Sequence, residues 1–365
     1  MEVTRREYDL AIVGGGPAGS AAAITAARNR ASVVMFDSSE FPRQKVCGEF
    51  VSAESLGVLR DILQEHERAG EILRDAPMIA RARIFASGHA AETVIQPAGL
   101  SIPRTVLDLL LWERAQRAGV CGHSKCEVLS LSGLGPFTVT TAQGEFSAKA
   151  VILCTGRWSR FSDSASLPAG PKWIGIKAHY REPRPAASTD LYFFDHGYCG
   201  VQPVASETVN VCALVRSDSA TTLEAVFQHS AELQARAAEW ERVTSPVTTA
   251  PVVYRTPTCL NDNMLLAGDA AGFIDPFAGD GISLALRSGK AAAECLAAFL
   301  TGEASLSAAC GEYEAAYRQQ FAPLIAASSR VRTLISLPEI ARLVVLQALR
   351  IPGVLPYVIR KTRVG

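Results

Sequence analysis

The sequence predicts an α/β fold: a Rossmann-like domain on a parallel sheet, an inserted antiparallel β-sheet domain, and C-terminal helices. Three observations carry that expectation. A glycine-rich loop joins a short apolar run to an alanine-rich helix between Tyr8 and Asp37. From Trp173 to Val215 the chain turns into short alternating runs. A buried-strand pattern then returns at Met264–Leu266 and leads to a long helical stretch from Gly281. Parallel strands buried on both faces read as continuous apolar runs, whereas half-buried antiparallel strands alternate.

Taken in order, Leu10–Val13 is the first buried strand. Gly14-x-Gly16-x-x-Gly19 follows, and Ser20–Arg28 favours helix. Ser32–Phe36 is a second buried strand and ends at Asp37. This is a complete βαβ unit with a dinucleotide fingerprint. Gly14 makes the tight turn, Gly16 lets backbone approach a pyrophosphate, and Gly19 allows close helix–strand packing. Pro17 and Ala18 open the helix, whose free N–H groups favour anionic phosphate. Asp37 stands near the acidic position expected to meet a ribose. The unit alone does not separate NAD from FAD.

Further along, Ala53–Asp75 has helical periodicity and Arg81–Ile95 holds two short β-like runs. Thr105–Ala118 is an amphipathic helix. Phe137–Thr140 and Glu145–Lys149 flank a hairpin signal, and Val151–Leu153 is another buried strand ending at Thr155-Gly156. Within the alternating region the expected strands are Ile174–Tyr180, Asp190–Phe194, Gly200–Val204 and Val209–Val215. Thr221–Trp240 is expected to be one helix, and Gly281–Phe299 another.

Composition excludes other classes. The 365 residues suit two intimately joined domains. Hydrophobic residues at 48% and charged residues at 20% allow a large core and exclude disorder as the main theme. Lysine plus arginine and aspartate plus glutamate both number 36, so no nucleic-acid partner is expected. The nine cysteines are scattered without a C-x-x-C pair, unlike a secreted disulfide framework. Cys121, His123 and Cys126 lie close together but lack a fourth ligand, so no metal is expected. No apolar run is long enough to span a bilayer, and the cytoplasm is the expected compartment.

The later motif decides between the nucleotides. Gly268-Asp269-Ala270-Ala271-Gly272 is followed by Asp275-Pro276 and by Gly279-Asp280-Gly281-Ile282. With the first fingerprint, this resembles the para-hydroxybenzoate hydroxylase superfamily of flavoproteins, and within it the geranylgeranyl reductase family. The resemblance implies FAD, with Asp269 on the ribityl chain and the helix at Gly281 and Ile282 opening at the flavin. Arg43-x-Lys45-x-Cys47-Gly48-Glu49 resembles the family segment beside the flavin. Arg104 resembles the arginine that opens a helix and contacts the cofactor. Val128 stands where a strand residue's backbone meets the adenine, and Gly156 follows the third strand. Gly197-Tyr198-x-Gly200 resembles the aromatic turn of the substrate domain.

Two departures qualify the resemblance. Thr155 replaces an aspartate of the hydroxylase branch, and there is no second nucleotide fingerprint. Electrons therefore come from transiently bound NAD(P)H or from a separate reductase. Glu49 replaces a glycine of the reductase segment, and Gly48-Glu49 resembles flavin-dependent halogenases, whose Trp-x-Trp-x-Ile-Pro motif is absent.

The expected division is 1–77, 101–165 and 257–305 for FAD, 78–100 and 166–256 for substrate, and 306–365 as a C-terminal helical segment. The expected activity is FAD-dependent oxidoreduction of a hydrophobic, isoprenoid or polyketide-like substrate at a carbon–carbon double bond. A dioxygen-using monooxygenase or halogenase-like oxidase is the alternative, and a flavin electron-transfer protein a further one. Cys47 is the candidate proton donor, against plain packing. Glu49 is a candidate general acid if burial raises its carboxyl, against a solvated loop residue. From Arg330 onward the chain is basic and apolar together. That suits a pocket cover or a peripheral membrane contact, against a core-packing terminal helix.

Overall fold

The computed structural model describes residues 6–157, 161, 170–254, 256–275 and 279–335, with side chains as far as Ser329. β1 (Arg6–Val13), α1 (Pro17–Arg28) and β2 (Val33–Phe36) form the first unit, with β1 and β2 parallel. β3 (Phe50–Val51), α2 (Ala53–Ile62), α3 (Ala69–Asp75), β4 (Met78–Ala86) and β5 (His89–Ser101) follow. α4 (Arg104–Arg117) leads to β6 (Cys121–His123), β7 (Val128–Ser132), β8 (Phe137–Thr141) and β9 (Gly144–Leu153). The next strands are β10 (Trp173–Arg181), β11 (Ser188–Phe194), β12 (Gly197–Ala205) and β13 (Thr208–Arg216). Then come α5 (Leu223–Phe227), α6 (Ala231–Ala237), β14 (Glu241–Arg242) and β15 (Val247–Thr249). β16 (Leu260–Asn261), β17 (Met264–Leu266), α7 (Gly281–Leu300), α8 (Leu306–Gln320) and α9 (Ala322–Ile335) complete the described chain.

The first sheet has the order β16-β17-β9-β1-β2-β6. Its central strands are parallel and end in register. Val13 is opposite Phe36 and Leu153, and Leu153 is opposite Leu266. The residues that follow, Gly14, Asp37, Cys154 and Ala267, therefore leave the sheet along one edge. The chain departs from β1 to β2 on one side and β9 lies on the other, so this edge is a topological switch point, where α/β sheets bind ligands.

Helices close on that edge by backbone contact. A Cβ on Gly19 would lie 1.7 Å from the Gly14 carbonyl oxygen, and one on Gly289 would lie 2.0 Å from that of Ala18. Gly14 itself has φ +107°, which side chains rarely adopt. The apolar face of α7 and the alanines of α1 join one continuous core with the first sheet.

The second sheet has the order β14-β10-β13-β12-β11-β4-β5-β3. α5 and α6 cover one face, packing on Ile176, Tyr180, Val211 and Val215. The sheet is mixed rather than purely antiparallel, because β4 and β11 pair in parallel. These strands come from different stretches of chain, so no hairpin sets their direction. Phe50–Val51 also joins this sheet, through β5.

Three further expectations change. Glu145–Lys149 and Val151–Leu153 belong to one strand, β9. One edge of β9 pairs with β1 throughout, while the other passes from β8 to β17, and the apolar pattern changes with the neighbour. Thr221–Trp240 is two short helices, because Ser230 caps a new start by accepting from Leu233 N–H at 3.3 Å. Gly197-Tyr198-x-Gly200 lies in strand β12 rather than in a turn. The expected C-terminal segment is described only to Ile335; residues 336–365, with Pro338, Pro352 and Pro356, lie outside the described residues. Among the described residues no helix is long and apolar enough to cross a membrane.

The contact at Gly289 is open to test. Gly289→Ala should lower unfolding stability by about 1–3 kcal/mol through overpacking. Gly311→Ala, on the exposed face of α8 with nothing within 4 Å, should raise it by about 0.5–1 kcal/mol. Urea titration of both variants checks the pair.

Candidate active site

The loop after β1 faces two arginines. Gly16 is the N-cap of α1 and Pro17 occupies its first turn, where a missing N–H costs nothing. A Cβ on Gly16 would meet Arg43 Nη2 at 3.4 Å and Arg104 Nη2 at 4.0 Å. A helix N-terminus and two guanidinium groups thus bound one small space, a setting for a pyrophosphate. The arginines are held by Asp108, which is fully buried. It accepts from Arg104 at 2.6 and 2.8 Å and from Arg43 Nε at 3.3 Å. Burial disfavours the Arg104 charge, but Asp108 more than offsets this and raises its pKa.

Asp37 is buried at the same edge. Its Oδ2 accepts from Gly15 N–H at 2.7 Å, and its Oδ1 accepts from Ser39 N–H at 2.8 Å and Arg43 Nη1 at 2.5 Å. A carboxylate has about four acceptor positions, so capacity for a ribose hydroxyl remains. Cys126 N–H donates to the Asp37 carbonyl, and Val128 opens β7 two residues later.

The late motif reaches the edge from β17. Gly268 N–H donates to Ser288 Oγ on α7 at 2.9 Å, which docks the turn on the helix. Burial raises the Asp269 carboxyl above its usual range, opposed by Arg157, whose Nε is 3.9 Å away. Gly156 sits beside Arg157 with φ +74°. α7 starts at Gly281 with Ile282 buried, and the Asp280 carboxylate before it accepts from Ser52 Oγ at 2.8 Å.

The segment Cys47-Gly48-Glu49 packs between this edge and the second sheet. Gly48 is exposed, and the Cys47 thiol lies within electrostatic reach of the Arg104 guanidinium. Glu49 is 0% exposed and has φ +63°. Its Oε1 accepts from Lys177 Nζ at 2.5 Å and Arg104 N–H at 2.8 Å, and its Oε2 bonds His179 Nε2 at 2.8 Å. Glu49 is therefore not a solvated loop residue, and the condition set for a general acid, a carboxyl raised by burial, meets an opposing effect. Burial alone would raise its carboxyl, but the His179 hydrogen bond and the Lys177 charge together hold it below the usual range. Both Glu49 carboxyl oxygens are engaged, so the side chain anchors the loop.

At the other end of the sheet face lies an aromatic cluster. Tyr198, Leu214 and Val252 pack with Trp173, Phe193, Tyr254 and Phe273. The Arg157 guanidinium stacks over Phe273 at 4.5 Å, which joins this cluster to Asp269. Tyr254 donates to Asp275 at 2.9 Å. Asp195 and His196 form the exposed β11–β12 turn.

The structure thus brings Gly14, Gly16, Gly19, Asp37, Arg43 and Arg104 together, and joins Cys47 and Glu49 to them through Arg104. Sequence reasoning missed Lys177, His179 and Asp108. A signal existed for the first two: Lys177 and His179 are alternate residues in an otherwise apolar strand, so they share one face.

The Glu49 anchor gives a pH prediction. A depressed folded carboxyl contributes stability that is full above the unfolded pKa and is lost as pH falls through the folded value. Replacing Glu49 with Gln and Lys177 with Met together removes that term. Chemical denaturation at about pH 6 and about pH 3 should then show a smaller acid loss than in the parent protein. An equal loss in both would place the acid sensitivity elsewhere.

Comparison with known proteins agrees with this geometry. The chain matches the FAD binding domain family over residues 7–322. It is 26% identical over 340 residues to digeranylgeranylglycerophospholipid reductase 2 of Methanopyrus kandleri, covering 86% of this chain and 83% of that one. It is 26% identical over 326 residues to menaquinone reductase of Mycolicibacterium smegmatis, covering 79% and 76%. A geranylgeranyl bacteriochlorophyll reductase-like protein of Thermoplasma acidophilum superposes with TM-score 0.76 at 21% identity, covering 98% of this chain and 96% of that one. The flavin-dependent brominase Bmp2 shares the fold with TM-score 0.80 at 20% identity, covering 98% and 93%. The chain belongs to the FAD binding domain family, and it is an FAD-dependent oxidoreductase that resembles the geranylgeranyl reductases.

Proposed function

We propose that the protein reduces or oxidises a carbon–carbon double bond of a hydrophobic substrate, isoprenoid or polyketide-like, with Cys47 as proton donor or acceptor. The observation that carries this reading is the position of Cys47. Its carbonyl accepts from Asn210 on the second sheet at 3.0 Å, the sheet that also bears the aromatic cluster, and its thiol lies within electrostatic reach of Arg104, which with Arg43 flanks the Gly16 loop. When bound, FAD supplies the two-electron chemistry.

The chain's own residues bind and orient. Gly14, Gly16, Pro17, Ala18 and Gly19 would hold the pyrophosphate with Arg43 and Arg104, and Asp37 the ribose. Val128 would meet the adenine through its backbone. Asp269 would hold the ribityl chain, with Gly48, Gly156, Gly268, Gly281 and Ile282 framing the flavin. The positive end of α7 favours the negative charge of a reduced cofactor. The first sheet with its helices would form the cofactor domain and the second sheet the substrate domain. Phe193 and Trp173, half-buried beside Tyr198, would offer an apolar surface to an isoprenoid chain, and exclusion of water strengthens polar contacts beside it. The relatives' names, a digeranylgeranylglycerophospholipid reductase and a menaquinone reductase, support a lipid-like substrate and a redox partner. The donor is NAD(P)H or a separate reductase.

A second reading, a dioxygen-using oxidase, has the Gly48-Glu49 pair in its favour. Here Glu49 is tied to Lys177 and His179, so its carboxylate is committed to anchoring. Product formation without oxygen separates the two readings. Strict dependence on dioxygen would favour the second.

Gly16→Val should fold but purify without FAD, because the protein alone leaves room for the added side chain while a pyrophosphate would not. Absorbance at the flavin bands, set against circular dichroism, checks this. Cys47→Ala should keep FAD and lose roughly 10²- to 10⁴-fold in turnover of an isoprenoid substrate. Unchanged turnover would reduce Cys47 to a packing role.

A further inference from the structure

We propose that Lys177, His179, Asn210 and Gln202 are positioning residues, a polar row on the second sheet that seats the Cys47–Glu49 loop and fixes the Cys47 thiol. The proposal rests on the reading of Cys47 given above. Its basis is strand register. His179 in β10 is opposite Asn210 in β13, and Asn210 is opposite Gln202 in β12. Three adjacent strands thus place polar side chains in one row. All three side chains are buried.

Each member reaches the same loop. His179 bonds Glu49 Oε2 at 2.8 Å. Asn210 Nδ2 donates to the Cys47 carbonyl at 3.0 Å. Gln202 Nε2 donates to Ser101 Oγ at 2.7 Å, and Ser101 Oγ in turn donates to the Glu49 carbonyl at 3.5 Å. Lys177 lies two residues from His179 on the same face. It donates to Glu49 Oε1 at 2.5 Å and to Gln44 Oε1 at 2.8 Å. The loop is therefore held near its start, at the cysteine and at its end.

The backbone converts that hold into thiol placement. Glu49 N–H donates back to Cys47 Sγ at 3.3 Å, and Glu49 itself takes left-handed backbone, φ +63°. A non-glycine residue persists in such a conformation only when its surroundings over-determine it. The ionic and hydrogen-bonded contacts of Glu49 do so. Arg104 from α4 and Cys212 from β13 lie within electrostatic reach of the thiol. Stability alone gives little reason for the row, since buried ion pairs replaced by apolar isosteres often fold as well or better. The convergence of four side chains on one segment is the feature to explain.

The test compares two thiols in the FAD-loaded protein. Cys47 and Cys121 are both half-buried, and Cys121 lies on β6, outside this loop. Iodoacetamide labelling at one pH, followed by peptide mass, gives the Cys47-to-Cys121 rate ratio. Two variants are used. Asn210→Leu keeps the branched heavy-atom shape and removes the bond to Cys47, and Glu49→Gln with Lys177→Met removes the ion pair without leaving an unpaired charge. The ratio should rise about tenfold in each while FAD is retained, because the loop opens locally. General loosening of the fold would raise both rates and leave the ratio alone. A ratio within about twofold of the parent in both variants, even with a lowered melting temperature, overturns the proposal. The outcome is separate from the proton-donor reading. A raised ratio with undiminished turnover in Cys47→Ala keeps the seat and rejects the donor.

Discussion

Backbone-to-backbone contact at the end of the first sheet is the constraint on which the rest depends. β1, β2, β9 and β17 finish in one row, and α1 and α7 then close on the same edge at Gly19 and Gly289, where no Cβ fits. Close packing of this kind fixes the distance between two helix N-termini far better than side-chain contacts, which can repack. The loop of Gly16 and the turn of Asp269 come from opposite ends of the sequence. They face one edge because the strands that carry them are neighbours of β9.

That edge was legible in the sequence because its determinants are local. The Gly14–Gly19 loop, Asp37 and the Gly268-Asp269 turn each sit at a strand end that the apolar runs already mark. The second sheet was legible strand by strand but not in its pairing. The parallel β4–β11 pair joins segments far apart in sequence, and alternation gives the same pattern for either direction. The break at Ser230 was missed for another reason. The apolar positions continue through it, and only the capping chemistry of serine records the restart.

Glu49 shows where single-residue reasoning reaches its limit. Its sequence context left two states open, a carboxyl raised by burial and a solvated loop residue, and the burial is present. What decides its state is the pair Lys177 and His179, more than a hundred residues away, on a strand whose register is set by β13. Desolvation and charge pairing act in opposite directions on the same group, and only the fold says which is larger. The left-handed backbone has the same origin.

The consequence lies in how the loop from Arg43 to Glu49 is shared. At one end Arg43 is tied to Asp37 and Asp108, which belong to the nucleotide edge. At the other, Glu49 is tied to Lys177 and His179 on the second sheet. Six peptide steps separate them, at most about 20 Å of chain, so neither end moves far without the other. Cys47 lies between the two tethers. Its distance from the nucleotide edge is set by the first, and its distance from the aromatic sheet face by the second. In the proposed role of Cys47, a thiol that meets both a cofactor and a substrate needs both distances fixed at once. A segment anchored to each domain meets that need without either domain carrying the cysteine on its own sheet.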